Sequence, residues 1–347
     1  MTKRIKIKDR FIGGGAEITI QSMTNTRTED VDATVAQIKR LERAGCDIVR
    51  MSVNNEQAAA AISQIKATAS VPLVADIHFD YKLALASIKN GIDKIRINPS
   101  NIGSEAAVRE VVAAAKDAGI PIRVGVNGGS LEKESLQKYG YSAEALADSA
   151  LKNVLLLEKF GFENIVISAK CSEVKMNAEA YRILAKKTDY PLHIGVTEAG
   201  GGDLALAKSY AGIGSLLLDG IGDTIRVSLT GDPVQEVYAA DVLLKSIGIR
   251  NNFVEVISCP TCARTEIPVL EIAEEIKRVT RDVKKRLTVA VMGCVVNGIG
   301  EGSHADLGVA GGKEKSVIMK HGKILKTVPN EKIAEELLKE INSGEYD

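Results

Sequence analysis

The chain has 347 residues, 45% of them hydrophobic and 26% charged, a balance typical of a globular α/β protein. Lys and Arg number 45, as do Asp and Glu, so bulk charge indicates neither a nucleic-acid nor a membrane-surface partner. No apolar run reaches the roughly 20 residues that span a bilayer, and residues 1–7 lack the apolar segment of a secretory signal. Five cysteines, an odd number, fit a reducing compartment, so we predict a cytoplasmic protein.

Short β-branched runs alternate with helical patterns over the first 246 residues. Strands are predicted at 18–23, 48–53, 73–77, 94–98, 122–127, 164–170, 192–197 and 224–229. Helices are predicted between and after them, at 31–44, 57–67, 81–89, 105–118, 143–160, 178–186, 204–210 and 233–246. Eight strands, each followed by a helix, predict an α/β fold of the TIM (β/α)8 barrel type. An open doubly wound sheet is the alternative, because periodicity alone does not separate the two folds.

The pattern changes after residue 249, where a short polar linker begins at Arg250. Strands are predicted at 254–258, 287–292 and 305–310, with a further pair in 316–328 that turns at His321 and Gly322. Helices are predicted at 267–286 and 333–341. We therefore predict a barrel domain over residues 1–249 and a small α+β domain over residues 250–347.

Cations recur at the carboxyl ends of five predicted barrel strands, which is where TIM barrels carry their active sites. Each has a small polar residue an even number of positions away: Arg50 with Ser52, Arg96 with Asn98, Arg123 with Asn127, Lys170 with Ser168, and Arg226 with Ser228. Residues at that spacing share a face of a strand. Burying five cations at one mouth is costly unless an anion binds there. The pattern predicts a ligand with at least two negative charges, such as a diphosphate.

Two acidic residues, Asp76 and Glu198, end strands at the same mouth. Each either neutralises an arginine or acts as a hydroxyl clamp or general acid/base. Glu198 precedes the glycine-rich turn 200–202 and is the preferred candidate. His78 and His193 are second-choice proton donors, with a structural role the more economical interpretation.

Three of the five cysteines, Cys259, Cys262 and Cys294, fall in the last quarter of the chain. The Cys-Pro-Thr-Cys turn suits either a redox pair or a metal, and the delayed helix after it, with a third distant cysteine, favours a metal. Zinc needs a fourth ligand, and His304 matches no familiar zinc spacing. A 4Fe–4S cluster with three thiolates leaves one iron for a weaker oxygen ligand, for which Glu301 on the glycine-rich loop 297–300 is the candidate.

The chain resembles the bacterial 4-hydroxy-3-methylbut-2-en-1-yl diphosphate synthase family over essentially its whole length. The segments that carry the resemblance are CPTC at 259–262, MGCVVNGIGE at 292–301, QSMTN at 21–25, RVGVN at 123–127 and VTEAG at 196–200.

The resemblance implies a TIM barrel followed by a domain that holds a 4Fe–4S cluster on Cys259, Cys262, Cys294 and Glu301. It implies an iron–sulfur oxidoreductase of the methylerythritol phosphate route to isoprenoids, which reduces 2-C-methyl-D-erythritol 2,4-cyclodiphosphate with electrons from reduced flavodoxin or ferredoxin. It also implies a homodimer in which the cluster domain of one subunit caps the barrel of the other. The positions of the family's substrate-contacting residues correspond to Arg50, Arg96, Arg123, Asn127, Lys170 and Glu198.

Two further classes stay open at this point. One is a TIM-barrel hydrolase or transferase with a structural zinc domain, which a colourless, sulfide-free protein would indicate. The other is a redox or iron sensor whose barrel binds a diphosphate without turning it over.

Overall fold

A computed structural model of the chain describes residues 1–343, apart from the side chains of residues 297 and 299. The chain divides into two compact units, Met1–Ile247 and Gly248–Asp347. The domain boundary predicted after residue 249 lies two residues from this division and stays a prediction.

The first unit is a barrel of parallel strands. It begins with an antiparallel hairpin, β1 (Ile5–Ile7) and β2 (Arg10–Ile12). The barrel strands are β3 (Thr19–Met23), β4 (Ile48–Ser52), β5 (Leu73–Asp76), β6 (Lys94–Ile97), β7 (Ile122–Asn127), β8 (Ile165–Lys170), β9 (His193–Ile194) and β10 (Thr224–Ile225). They pair in the order β8-β7-β6-β5-β4-β3-β10-β9, and a bridge between Ile167 and Leu192 joins the two end strands. The predicted TIM barrel is confirmed, and the open-sheet alternative is wrong.

Helices follow the barrel strands and cover them. They are α1 (Val31–Arg43), α2 (Glu56–Lys66), α3 (Tyr81–Lys89), α4 (Glu105–Asp117), α5 (Lys133–Tyr139), α6 (Ala143–Lys159), α7 (Val174–Lys187), α8 (Gly202–Leu218) and α9 (Pro233–Ser246). Side chains of Asp30, Asn55, Ser104 and Ser142 accept the amide hydrogen bonds that start α1, α2, α4 and α6. Helix α5 is an extra element that the sequence pattern does not predict.

Helix α8 continues to Leu218, well past the predicted end at residue 210. Glycine has a low helix propensity, so the segment that contains Gly212 and Gly214 was not predicted to be helical, and the predicted helix ended too early. In the structure, a Cβ on Gly212 would stand 2.5 Å from Cγ2 of Val196. The glycine therefore allows close helix–strand packing, which outweighs its poor propensity.

The two ends of the barrel differ in polarity. At the amino-terminal end, Ile48, Val74 and Val166 pack with Ile5, Ile7 and Ile12 of the β1–β2 hairpin. This apolar layer closes one end of the barrel. Polar side chains from the strands are therefore concentrated toward the carboxyl ends.

The second unit is a five-stranded sheet with helices. Its elements are β11 (Val254–Ser258), α10 (Val269–Val279), β12 (Leu287–Met292), α11 (Val295–Gly300), β13 (Leu307–Ala310), β14 (Lys315–Lys320), β15 (Lys323–Pro329) and α12 (Ile333–Ile341). The strands pair in chain order; β11, β12 and β13 are parallel, and β14 and β15 are antiparallel. Residues of α10 and α12 such as Ile276 and Leu337 pack with Val289 and Val309 of the sheet.

Two predictions about this unit are wrong. Helix α10 ends at Val279 rather than at residue 286, with Thr280 as its C-cap and the Thr280 hydroxyl bonded to the carbonyl of Ile276. The segment predicted as a flexible glycine-rich loop at 297–300 is part of helix α11, in which the Gly298 amide donates to the carbonyl of Cys294 at 3.0 Å. No helix in the described part of the chain combines the length and apolarity that crossing a membrane requires.

Candidate functional site

A cavity of about 110 Å³ lies at the carboxyl ends of the barrel strands. Its lining residues lie in or directly after seven strands, β4 to β10: Arg50, Asp76, His78, Arg96, Arg123, Asn127, Lys170, Thr197, Arg226 and Ser228. Nine of these ten, all except Thr197, are residues that the sequence predicts at this mouth; the roles assigned to them stay predictions. Five cations face one carboxylate in this lining, so the cavity suits an anion.

Asp76 organises one side of the cavity. Its carboxylate accepts a hydrogen bond from Nη1 of Arg96 at 3.1 Å and lies 3.3 Å from Nε2 of His78. Arg96 Nη1 also lies 2.8 Å from Nε2 of His78, and its Nη2 donates to the carbonyl of Gly125 at 3.0 Å. Although burial alone would raise it, the pKa of Asp76 is held well below its usual range by Arg50, His78 and Arg96. Asp76 is therefore a hydrogen-bond acceptor here.

Arg123 is almost completely buried, with 1% of its surface exposed. Its Nη1 donates to Oγ of Ser168 at 2.6 Å. Among the residues that the structure describes, none accepts a hydrogen bond from its Nε or Nη2. Burial, and then the neighbouring Arg50 and Arg96, lowers the pKa of Arg123. Unmatched donors on a buried cation are what a bound oxyanion would satisfy.

Arg50 and Lys170 add to this excess of positive charge. The pKa of Arg50 is lowered to about 10, chiefly by burial and also by the charges of Arg226 and Arg96, against the opposing charge of Asp76. The pKa of Lys170 falls well below its ordinary value because of burial and then the charges of Arg123 and Arg50. An anion in the cavity would offset the repulsion among these groups.

Arg226 closes the other side of the cavity and is paired with Glu236 of α9, the two side chains meeting at 3.1 Å. Its Nη1 also lies 3.7 Å from Sδ of Met23, and the same sulfur accepts from Nε and Nη2 of Arg50 at 3.0 and 2.9 Å. Met23 thus lies between two guanidinium groups. The carboxylate of Glu236 offsets one of the five cations.

Glu198 is exposed and is absent from the cavity lining, although its neighbour Thr197 is part of it. Its φ is +54°, a left-handed conformation that non-glycine residues adopt at a cost of about 1–3 kcal/mol. This left-handed conformation turns the chain sharply between Thr197 and the glycine-rich turn. His193, which like His78 is a second-choice donor, is fully buried, and burial with nearby Lys170 lowers its pKa well below the ordinary value.

Three residues at or beside the cavity, Thr197, Met23 and Glu236, are not predicted from the sequence. Thr197 had a usable signal, since it ends a predicted strand at the mouth. Met23 ends β3 in the same way, but a thioether among arginines suggests no chemistry from its type alone. Glu236 had no signal, because its link to Arg226 joins a helix to a strand end.

The cysteines of the second unit follow its parallel strands. Cys259 comes directly after β11, and Cys294 comes two residues after β12. Ser258 pairs with Val291 in the ladder, which places the two carboxyl ends side by side. Cys294 is buried, Cys259 half-buried and Cys262 exposed. In the described part of the chain, no three His, Cys, Asp or Glu side chains stand close enough together to hold a metal ion.

The surroundings of Cys259 nevertheless suit an iron–sulfur ligand. The amide of Gly293 donates to Sγ of Cys259 at 3.2 Å, and Cys259 packs on an apolar cluster of Ala290, Met292 and Ala305. Amide donors to sulfur in an apolar setting are what tunes such clusters. Thr261 lies between Cys259 and Cys262 with φ +60°, which makes the turn tight. The helix begins only at Val269, as the metal interpretation requires.

Glu301 begins a short 3-10 helix, Glu301–His304, immediately after α11, and its side chain is exposed. The other two cysteines belong to the barrel. Cys46 and Cys171 are buried there, and burial raises the pKa of Cys46 to about 12 and that of Cys171 to about 11. Both therefore stay in the protonated thiol form at neutral pH, which is less nucleophilic than a thiolate.

Comparison with known proteins matches both units. Residues 2–241 match the GcpE TIM-barrel domain, and residues 255–343 match the GcpE protein C-terminal domain. A protein of Caldanaerobacter subterraneus subsp. tengcongensis named 4-hydroxy-3-methylbut-2-en-1-yl diphosphate synthase (flavodoxin) is 59% identical over 342 residues, covering 98% of this chain and 96% of the relative. A protein of the same name from Fusobacterium nucleatum is 54% identical, covering 98% and 97%.

Solved structures of other TIM-barrel enzymes share the fold at low identity. Dihydropteroate synthase from Xanthomonas albilineans aligns with a TM-score of 0.51 at 15% identity, covering 70% of this chain and 98% of that one. N-acetylneuraminic acid synthetase from Leptospira borgpetersenii aligns with a TM-score of 0.51 at 13% identity, covering 72% and 91%. At such identity these likenesses describe the barrel alone.

Proposed function

The chain belongs to the GcpE family, and from this membership we propose that it is a 4-hydroxy-3-methylbut-2-en-1-yl diphosphate synthase that takes electrons from flavodoxin. Its substrate would be 2-C-methyl-D-erythritol 2,4-cyclodiphosphate, whose ring is opened by a two-electron reduction with loss of water. The observation that carries the proposal beyond family membership is the cavity in which five cations face one carboxylate. The negative charge of a cyclic diphosphate would balance the excess positive charge of this cavity.

Binding is the task of the cations. Arg123 has two free donors on a buried guanidinium, and Arg50 and Lys170 lack a carboxylate within ion-pair distance among the described residues. These three groups would contact the diphosphate oxygens, together with Arg96 and Arg226, which already hold carboxylates. Guanidinium forks fix the orientation of the anion as well as its charge.

The remaining polar groups would position the carbon skeleton and handle protons. Asn127 and Ser228 offer neutral donors and acceptors to hydroxyl groups at the cavity wall. Asp76, which stays ionised, would orient Arg96 and accept a hydrogen bond from a substrate hydroxyl group. It would not donate a proton. Glu198, exposed beside the cavity in a strained conformation, would donate a proton to the departing oxygen.

We propose a 4Fe–4S cluster on Cys259, Cys262, Cys294 and Glu301 as the resident cofactor. When bound, such a cluster supplies electrons from the carrier in single-electron steps. The Gly293 amide would stabilise the Cys259 thiolate, and the exposed Glu301 carboxylate is an oxygen donor that can be released more easily than a thiolate. Thiolate ligands require a reducing compartment, which supports a cytoplasmic location.

The proposed assembly is a homodimer. The second unit exposes Val295 and Val296 directly after Cys294, at 52% and 60% of their surface. Exposed apolar residues beside a ligand are a surface that a second copy can cover.

The test of this function is anaerobic purification followed by iron and sulfide analysis and a turnover assay with the cyclodiphosphate and reduced flavodoxin. We expect about four iron atoms and about four sulfide ions per chain, and a broad absorption band at about 410 nm. Zinc without sulfide, and no turnover, would select the hydrolase or transferase with a structural zinc domain. Cluster content without turnover would select the sensor.

A matched pair of cysteine variants tests the ligand set without relying on activity. Cys262→Ser should lose most of its iron and sulfide, and because Cys262 is exposed the chain should stay folded. Cys171→Ser, which changes a buried barrel thiol, should keep the full iron content. Equal iron in the two variants would remove Cys262 from the ligand set.

A further inference from the structure

Glu236 lies in the first turn of α9 and is nearly inaccessible, with 2% of its surface exposed. Its carboxylate accepts four hydrogen bonds. Nε and Nη2 of Arg226 donate to its two oxygens at 3.1 Å each, Oγ of Ser22 donates at 2.8 Å, and the amide of Leu229 donates at 3.1 Å. Glu236 is neither a residue of the cavity lining nor one of the proposed cluster ligands.

The four bonds compensate for weak support from the sheet. Strand β10 has only two residues and ends at Ile225, so Arg226 lies beyond the regular ladder. Its amide still donates to the carbonyl of Ile194 at 3.0 Å, but the chain that follows has no strand partner in the described structure. Glu236 holds this segment at two points, through the Arg226 guanidinium and through the Leu229 amide.

The orientation of Arg226 follows from the same contacts. The Nε and Nη2 edge of its guanidinium faces Glu236, which leaves Nη1 away from Glu236, 3.7 Å from Sδ of Met23. Arg226 and Ser228 both line the cavity. A two-point carboxylate–guanidinium pair fixes the plane of an arginine as well as its distance.

We propose that Glu236 is a positioning residue for substrate binding: it fixes Arg226, and with it the segment that carries Ser228, in the orientation that contacts the diphosphate. The inference rests on the proposed function, because it takes the cavity to be the cyclodiphosphate site. A carboxylate this close to an anion site weakens anion binding by its charge alone. Its presence there is explained if the orientation of Arg226 strengthens anion binding by more than the charge of Glu236 weakens it.

The experiment compares Glu236→Gln, Arg226→Met and the double variant, with the Michaelis constant for the cyclodiphosphate and kcat measured separately. Glutamine keeps the size of the side chain and can accept from Ser22, but it loses the symmetric charged fork. We expect Glu236→Gln to raise the Michaelis constant about tenfold, the effect of losing one charge-assisted hydrogen bond, with a smaller change in kcat. In the Arg226→Met background the same substitution should add less than about twofold, because its effect passes through Arg226.

Asp93→Asn is the matched control. Asp93 is a buried carboxylate at the opposite end of the barrel, paired with Lys66 at 2.7 Å and bonded to the amide of Leu73 at 2.9 Å. It should lower stability without changing the Michaelis constant, which is what a purely structural role predicts for Glu236 as well.

The outcomes separate the two proposals. If Arg226→Met raises the Michaelis constant and Glu236→Gln does not, or lowers it, Glu236 has no positioning role and the substrate site stands. If Arg226→Met leaves the constant unchanged, the proposed site itself is wrong at this position. Should Glu236→Gln fail to fold, Ser22→Ala removes one bond to the same carboxylate; an unchanged constant in that variant overturns the inference.

Discussion

At the residue scale, glycines make room for the cations of the cavity. A Cβ on Gly125 would collide with the guanidinium of Arg96, and a Cβ on Gly195 would stand 2.7 Å from Nζ of Lys170. Gly125 lies within β7 and Gly195 directly follows β9, and at either position a side chain would displace a cation. The absence of a side chain is therefore part of the anion site, as much as the arginines are.

Lys94 is a buried amine at the start of β6. It is 0% exposed, and among the described residues nothing accepts a hydrogen bond from its Nζ. Burial, and then the charges of Arg123 and Arg50, holds its pKa well below the ordinary 10.5. Between its folded and unfolded pKa the unfolded chain binds the extra proton, so Lys94 makes stability rise with pH and fall as pH drops.

We expect Lys94→Met to stabilise the ligand-free protein by about 1–4 kcal/mol at neutral pH, because methionine fills the site without a charge. It should also flatten the rise of stability between pH 7 and 10 by up to about 1.4 kcal/mol per pH unit. Urea unfolding across that range measures both effects, with Lys89→Met on the exposed surface of α3 as the control. A destabilised variant with an unchanged slope would contradict this account.

At the element scale, strand periodicity positions the site and short strands leave it incompletely supported. Alternation along β6, β7 and β8 places Arg96, Arg123 and Lys170 inside the barrel with apolar residues outside. Strands β9 and β10 have two residues each, so the residues after them depend on side-chain contacts. The Glu236 contacts supply that support for Arg226.

Helix α11 shows how one glycine can set the packing of an element. A Cβ on Gly298 would collide with Cβ of Ala310 on β13, whereas a Cβ on Gly300 would meet nothing within 4 Å. Alanine favours a helix over glycine by about 1 kcal/mol in the absence of such contact. Alanine substitutions at Gly298 and Gly300 are therefore a matched pair within one helix, the first with a steric clash and the second without.

We expect Gly298→Ala to destabilise the second unit by about 1–3 kcal/mol and to lower the iron content, because α11 and Cys294 must move away from β13. Gly300→Ala should be neutral or slightly stabilising. Chemical unfolding and iron analysis of the two variants decide the point. Equal behaviour would mean that α11 is not packed on β13.

At the scale of the whole molecule, a neutral chain contains a locally cationic interior. The chain has 45 basic and 45 acidic residues, but the cavity lining has five cations and one carboxylate. The barrel tolerates this concentration because its apolar amino-terminal layer and its outer helices supply stability elsewhere. A ligand that neutralises the cavity should therefore stabilise the barrel by linkage.

Inorganic pyrophosphate is a suitable probe of that linkage. At about 100 times its dissociation constant it should add about 2.7 kcal/mol of stability, seen as a rise in the Tm of the barrel. Arg123→Met should keep or raise the Tm without ligand, since a buried cation is lost, and should reduce the pyrophosphate shift by at least about half. Arg109→Met, on the exposed face of α4, should leave the shift unchanged. A full shift in Arg123→Met would exclude Arg123 from the anion site.

The amino-acid sequence by itself determined the alternation of eight strands and helices, the cations at the strand ends, and the spacing of the three cysteines. These features depend on local periodicity and on residue type, which are read along the chain. The limits of α8, α10 and α11 could not be predicted from it; in α8 and α11, close packing at Gly212 and Gly298 outweighs the poor helix propensity of glycine.

Only the tertiary structure decided which charges meet. Closure of the barrel brings Met23 of β3 between Arg50 and Arg226, and brings Ser22 and Glu236 together although they are 214 positions apart. The β1–β2 hairpin closes the amino-terminal end of the barrel, so Lys94 and Arg123 are buried rather than solvated. Ion pairing and desolvation depend on which residues are neighbours in space. For this reason, basic residues that are far apart in the sequence form an anion site only in the folded barrel.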